Sequence, residues 1–268
     1  ELAKKYNKNI TAGCIIADIP QFVTANEVRG IKKLYHKYQV KKCASLYKYV
    51  DKFVLLTEQM AQKLNIKSPY IVVEGIATTD EISVDNAKIG GLKNDRYILY
   101  SGTLNYKFGI KVLLDAFEKI NDDNLKLVIC GFGEAEKLIK EKQDSRIVFF
   151  GKVDRADVLG LQKNATVLVN PRQNNEEFTK YSFPSKNLEY LSSGVPLVAY
   201  KLDGIPDEYD DFITYPSDDS ASELANEIIK ICNMSDDERK VLGSKARDFV
   251  FENKNKVKQA QKIIEFIK

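Results

Sequence analysis

The sequence has a single histidine, His36, in 268 residues. That scarcity excludes a zinc site built on histidines and any catalytic triad whose histidine must stand elsewhere. His36 lies inside a lysine-rich stretch, poor ground for a general base. Cysteine is sparse too: Cys14, Cys43, Cys130 and Cys232, no two of them spaced as a metal-ligand pair. Cys14 and Cys130 fall in apolar, strand-like runs, so the four are expected as buried, reduced thiols of a cytosolic protein. No metal and no other cofactor is expected. No run of about 18 apolar residues is present, so no helix is expected to span a membrane. The opening residues do not read as a signal peptide. Neither sign of charge is in excess: 41 basic and 38 acidic residues leave +3. That argues against general nucleic-acid binding and, with 44% apolar residues, against global disorder. The chain opens on Glu1 in residues that already read as helix, and the expectation is of a chain incomplete at its N-terminus.

What is there is alternation. Short apolar runs at 10–16, 53–56, 70–73, 97–100, 125–130, 147–150, 167–169, 197–199 and 212–214 read as strands. Longer helical patterns lie at 22–50, 58–65, 109–121, 134–142, 155–163, 184–192, 220–232 and 236–251. Repeated βα units imply an α/β fold with doubly wound, mostly parallel sheets covered on both faces. The stretch 78–95 has little apolar periodicity and a Gly90–Gly91 pair, so the boundary is placed there. Residues 1–89 then form a partial N-terminal unit and 90–252 a complete one. Residues 253–268 form a further helix, apolar at Val257, Ala260, Ile263, Ile264 and Ile267, that packs across units.

Ligands of doubly wound sheets sit at the carboxyl ends of the strands. After the strand at 97–100 comes Ser101-Gly102-Thr103-Leu104-Asn105-Tyr106-Lys107, then a helix. After 125–130 comes Gly131-Phe132-Gly133, again opening a helix. Each glycine lets backbone approach a ligand, and each following helix offers free N–H groups to an anion; both also serve as ordinary turns. The most informative segment is 170–196, NPRQNNEEFTKYSFPSKNLEYLSSGVP. Arg172 follows a strand, Pro184 suits the first turn of a helix, and Lys186 adds charge to that turn. Glu189, over one turn in, can accept hydrogen bonds from ribose hydroxyls. The plainer reading has Ser182 as a cap, Pro184 as first helical residue and Glu189 as a surface charge.

This segment resembles the signature of family 4 retaining glycosyltransferases of the GT-B fold. Their common form is E-x7-E followed by a helix and G-x-P-V. Glu189 matches the second glutamate, which in the family holds the donor ribose. Tyr181 stands in place of the first, which normally contacts the donor sugar. The chain is similar to the subgroup S-F-P-S-K-x-x-E-Y-L-x-S-G-x-P. The run SGTLNYKFGIKVLLDAF resembles the family's first loop and helix of the second domain. Thr103 stands there in place of a common arginine, and Phe108 in place of the usual lysine, with Lys107 one position away. Phosphate contact is then expected from Arg172, Lys186 and the backbone. Phe149-Phe150-Gly151-Lys152-Val153 resembles the segment that meets the base through backbone atoms. The resemblance implies a GT-B-like fold of two Rossmann-like sheets, the N-terminal one incomplete. It implies transfer of a sugar, with retention, from a nucleotide-sugar (UDP favoured) to a glycan or lipid-linked acceptor. Two alternatives are a nucleotide-binding module without turnover and a nucleotide-sugar epimerase. The donor-binding residues expected are Gly102, Thr103, Lys107, Gly131, Gly133, Val153, Arg172, Tyr181, Ser182, Phe183, Pro184, Ser185, Lys186 and Glu189. Arg172 and Lys186 supply charge stabilisation, and no residue reads as a protein nucleophile.

One stretch concentrates charge. Residues 27–52 carry Arg29, Lys32, Lys33, Lys37, Lys41, Lys42, Lys48 and Lys52 against Glu27 and Asp51, a net +6. Tyr35, Tyr38, Tyr47, Tyr49, Leu34 and Leu46 are interleaved. A solvated helix face explains this; so does a surface from Arg29 to Lys52 that docks on anionic lipid. The latter would put the protein in the cytoplasm, peripheral to the inner membrane face. Nucleic acid is not expected as a partner.

Overall fold

The computed structural model of the protein describes residues 5–7, 9–23, 30–78, 92 and 95–268. Two parallel sheets form. The first holds β1 (Gly13–Ile16), β2 (Lys52–Leu55) and β3 (Tyr70–Val72) in that order. The second holds β4 (Arg96–Ser101), β5 (Leu125–Cys130), β6 (Ile147–Gly151), β7 (Val167–Asn170) and β8 (Leu197–Ala199). Its order is β6-β5-β4-β7-β8. The winding direction therefore reverses beside β4, whose two neighbours are β5 and β7. Such a switch point opens a crevice at the carboxyl ends of the strands.

Helices fill the connections: α1 (Pro20–Val23), α2 (Ile31–Leu46), α3 (Glu58–Lys63), α4 (Ile110–Phe117), α5 (Glu136–Lys140), α6 (Arg155–Asn164), α7 (Ser185–Ser192), α8 (Ala221–Cys232), α9 (Asp236–Asn253) and α10 (Lys256–Ile267). In the second sheet the side-chain period of two splits the core. Ile98, Leu127, Ile129 and Val167 face Leu113, Leu114, Phe117 and Ile228 of α4 and α8. Leu99, Val128 and Leu168 face Leu161, Leu188 and Leu191 of α6 and α7. The first sheet has a smaller core of Ile16, Ile19, Phe53, Leu55, Met60 and Ala61.

Three expectations change. The run 212–214 makes no strand; Thr214 forms only an isolated bridge to Val198. It is hemmed by Asp210, Asp211 and Pro216, which shed ladder pairing. The helix expected over 22–50 is represented by α1 and α2, then a 3₁₀ turn at Tyr47–Tyr49; residues 24–29 lie outside those described. Only Cys130 and Cys232 are fully buried, whereas Cys14 in β1 is half-buried and Cys43, on the solvent-facing α2, is exposed. The boundary at Gly90–Gly91 lies outside the described residues.

The chain passes between the sheets twice, at 73–78 and 253–256. Ala77 N–H donates to the Lys254 carbonyl at 2.8 Å, and Gln259 Nε2 to the Gly75 carbonyl at 3.1 Å. From there α10 lies against the first sheet. Lys262 Nζ donates to the Val72 carbonyl at 2.9 Å, and Lys52 Nζ to the Phe266 carbonyl at 2.6 Å.

Candidate functional site

The loops leaving β4, β5 and β6 are stitched into one edge. Gly102 N–H donates to the Cys130 carbonyl at 2.9 Å, Gly131 N–H to the Gly151 carbonyl at 2.7 Å, and Leu104 N–H to the Phe132 carbonyl at 2.9 Å. Gly131 has φ 144° and Gly133 φ 152°. A Cβ on Gly131 would lie 1.8 Å from the Gly102 carbonyl oxygen, and one on Gly133 2.3 Å from that of Leu104. Only glycine fits at either position. Thr103 is exposed, and its carbonyl accepts from Tyr100 OH at 2.9 Å.

Beside this edge, where β7 ends, stands Arg172. Its Nη2 donates to Ser182 Oγ at 2.6 Å. Its guanidinium lies 4.8 Å from the Phe178 ring centroid and 5.5 Å from that of Phe108. Its Nε is sealed from solvent with no hydrogen-bond partner. Among the described residues no carboxylate lies within ion-pair distance of it. Burial lowers its pKa to about 10, with Tyr100 acting the other way, so it is still a cation at neutral pH. Lys107 Nζ lies 5.2 Å from the same Phe178 ring and 5.8 Å from Phe108. The position where the family signature has a lysine is thus occupied by a ring, Phe108, against which both Arg172 and Lys107 rest.

Helix α7 begins one residue later than expected: Pro184 is the N-cap, and no side chain caps the turn. Ser182, free of the capping role, is the acceptor for Arg172. Lys186 Nζ pairs with Glu189 Oε1 at 2.9 Å, and Gln162 Nε2 donates to the same oxygen at 2.6 Å. Burial pushes the Glu189 carboxyl up, but the Gln162 hydrogen bond and the Lys186 charge outweigh it and leave the pKa below the ordinary value. Lys186 also borders the glycine loop, since a Cβ on Gly102 would lie 3.8 Å from its Cε. Ser185, Lys186 and Glu189 line a cavity of about 380 Å³, shared with Arg155 and Gln162 of α6 and with the crossing segment 75–78.

The remaining expected residues sit outside that cavity. Phe183 is buried, 5.3 Å from the Tyr209 ring, so only its backbone is available to a ligand. Val153 is half-buried against the core. Tyr181 stacks on Phe22 at 5.7 Å and lies under Lys63 Nζ at 5.3 Å. Its ring therefore meets the first sheet's helices. The sequence reading missed Phe178 and Gln162. Phe178 sits in a polar loop without periodicity. Gln162 closes a helix at a position that reads as surface, 27 residues from its partner; no local signal marks either.

A sequence profile of the family Glycosyl transferases group 1 matches residues 83–268. An uncharacterized glycosyltransferase of Methanocaldococcus jannaschii, MJ1607, is 30% identical over 123 residues, which is 44% of this chain and 30% of that protein. The chain thus spans less than a third of that relative's length. Among solved structures, sucrose-phosphate synthase from Thermosynechococcus elongatus superposes with a TM-score of 0.72 at 16% identity, covering 98% of this chain and 69% of that one. Anabaena HepE, solved with UDP and glucose, gives 0.69 at 17% identity, over 98% and 73%. At these identities the likeness shows the fold, two Rossmann-like sheets in the GT-B arrangement.

Proposed function

The chain belongs to the Glycosyl transferases group 1 family, and from that premise we propose that it moves a sugar from a UDP-sugar to a glycan or lipid-linked acceptor with retention. The observation that carries this reading is Arg172. A half-buried guanidinium with no carboxylate partner among the described residues is costly unless an anion reaches its exposed part. Arg172, Lys107 and Lys186 surround the edge where the donor diphosphate would lie, against the uncapped first turn of α7. As the bond from sugar to diphosphate breaks, negative charge grows on the leaving oxygens. Cations there stabilise that charge more in the transition state than in the ground state. Glu189 would receive the ribose hydroxyls. We assign the donor to residues 90–252, the acceptor side to 1–89 and the joining helix to 253–268.

The test is a calorimetric titration with UDP and GDP, paired with a donor-hydrolysis assay on the same sample. Binding of UDP with slow release of sugar supports the reading. Binding without any turnover would leave a nucleotide-binding module, and no binding of either nucleotide would sink it.

For the membrane we propose docking of an anionic lipid surface on α2, which would bring a lipid-linked acceptor within reach. Lys32, Lys33, Lys37, Lys41 and Lys42 are all exposed on it, among Leu34 at 74%, Tyr35 at 63% and Tyr38 at 60% exposure. No described helix is long and apolar enough to cross a membrane.

A further inference from the structure

Gln162 is a fully buried residue that joins two parts of the site. Its Nε2 donates to Glu189 Oε1 at 2.6 Å and to Ser101 Oγ at 3.2 Å. Ser101 ends β4 immediately before Gly102. Its N–H donates to Tyr190 OH at 2.8 Å, and the phenol returns a bond to the Ser101 carbonyl at 3.1 Å. One amide thus ties the base of the glycine loop to the acid on α7. Its orientation is forced, because turning it would set Oε1 against a carboxylate, acceptor on acceptor. In the orientation that works, Oε1 is buried without a partner, a desolvation cost the fold carries.

Glu189 has a second holder, but of another kind. Lys186 binds the same oxygen at 2.9 Å with a side chain 38% exposed. Its flexible stem and mobile ammonium let it turn toward a nearby anion; the Gln162 amide, buried and bonded to both Ser101 and Glu189, is held in place. We propose that Gln162 is a positioning residue that holds the Glu189 carboxylate aimed at donor hydroxyls while Lys186 turns to the donor diphosphate. This rests on the reading of Glu189 as the ribose acceptor.

The experiment follows the Glu189 carboxyl by ¹³C NMR in the unliganded protein, assigned with Glu189→Gln, and titrates UDP by calorimetry between about pH 5.5 and 7.5. In Gln162→Leu the Glu189 titration moves to higher pH. UDP affinity falls about tenfold, the scale of one lost hydrogen bond to a charged group, and falls more steeply toward acid than in wild type. Gln162→Asn, which keeps the amide but withdraws it by one methylene, gives the same direction with a smaller effect and carries the test if the leucine variant does not fold. A residue that merely fills space would lower the melting point without moving the Glu189 titration. An unchanged titration in these variants overturns the part given to Gln162, whether or not UDP binds. Glu189→Ala with unchanged UDP affinity overturns the ribose reading itself, and the positioning role with it.

Discussion

Arg172 is where a single side chain decides most. Its partners are a serine hydroxyl and two rings, none of which neutralises it. Arg172→Ala is therefore expected to weaken UDP far more than uridine, by about 1.5–3 kcal/mol, roughly 10- to 100-fold. Calorimetry with both ligands checks this, and an equal loss for the two would mean that Arg172 acts through structure. Glu189 carries a pH signature. Its folded pKa is depressed below 4.5, so its contribution to stability is complete above the ordinary carboxylate range. That contribution is lost as pH falls through the folded value. The difference in unfolding midpoint between wild type and Glu189→Gln should shrink on acidification below about pH 4.5; a difference flat with pH would contradict the ionised, bonded carboxylate. Both positions were marked as candidates in the sequence, Arg172 by following a strand and Glu189 by its match to the family signature, since its distance to Pro184 alone suited a surface charge equally well. Their surroundings were not. Phe178 and Gln162 act through contacts that fold topology creates, with no periodicity to announce them.

Elements were easier to read than contacts. Most strands of the second sheet are buried on both faces, the edge strand β6 excepted, and appear as largely apolar runs, such as LKLVIC at Leu125–Cys130, broken only by Lys126. Gly131 and Gly133 mark the corner after β5, where backbone packs on backbone. The run at 212–214 had the same apolar look but meets β8 only through Thr214, which a sequence does not display. Helix α2 poses the sharper question, since its charge was evident and its purpose was not. A solvated helix needs no partner, yet Leu34, Tyr35 and Tyr38 stand among five exposed lysines with no acid on the helix. Each lysine near an anionic surface contributes about 1 kcal/mol. Co-sedimentation with anionic vesicles is expected at low salt and not with neutral ones. It should fade at high salt, as the Debye length drops from about 10 Å at 0.1 M to about 3 Å at 1 M. Binding that survives exchange of Lys32, Lys33, Lys41 and Lys42 for glutamate would leave α2 an ordinary solvated face.

Across the whole molecule, the two sheets are joined by polar bonds that hydrophobic patterning does not reveal. The tail reads as an amphipathic helix from Val257, Ala260, Ile263, Ile264 and Ile267, yet Val257, Ala260 and Ile264 are exposed and its buried residue is Gln259. Its anchors are lysines, Lys52 and Lys262, donating to backbone carbonyls of the opposite element, and lysine ordinarily belongs in solvent. At the crossing itself Lys254 is buried. Its Nζ lies 2.6 Å from Glu74 Oε1 and 2.6 Å from Glu208 Oε1. Tyr209 OH donates to that same Glu74 oxygen at 2.6 Å. The Glu74 side chain is 1% exposed and that of Lys254 4%. Glu74 follows β3 of the first sheet, Tyr209 belongs to the second unit, and Lys254 links α9 to α10. Breaking such a pair from one side leaves an uncompensated buried charge, a loss of about 3–5 kcal/mol, whereas replacing both partners by apolar groups costs far less. Lys254→Met is therefore expected to lower unfolding stability by that amount in urea titration, and Lys254→Met with Glu74→Leu to recover most of it. Because the pair sits between the sheets, the single variant should also release α10 from the first sheet, seen as faster hydrogen exchange at its amides while those of β4 and β5 keep their protection. A single variant as stable as wild type would mean that the crossing strands and Gln259 hold the sheets together without the ion pair.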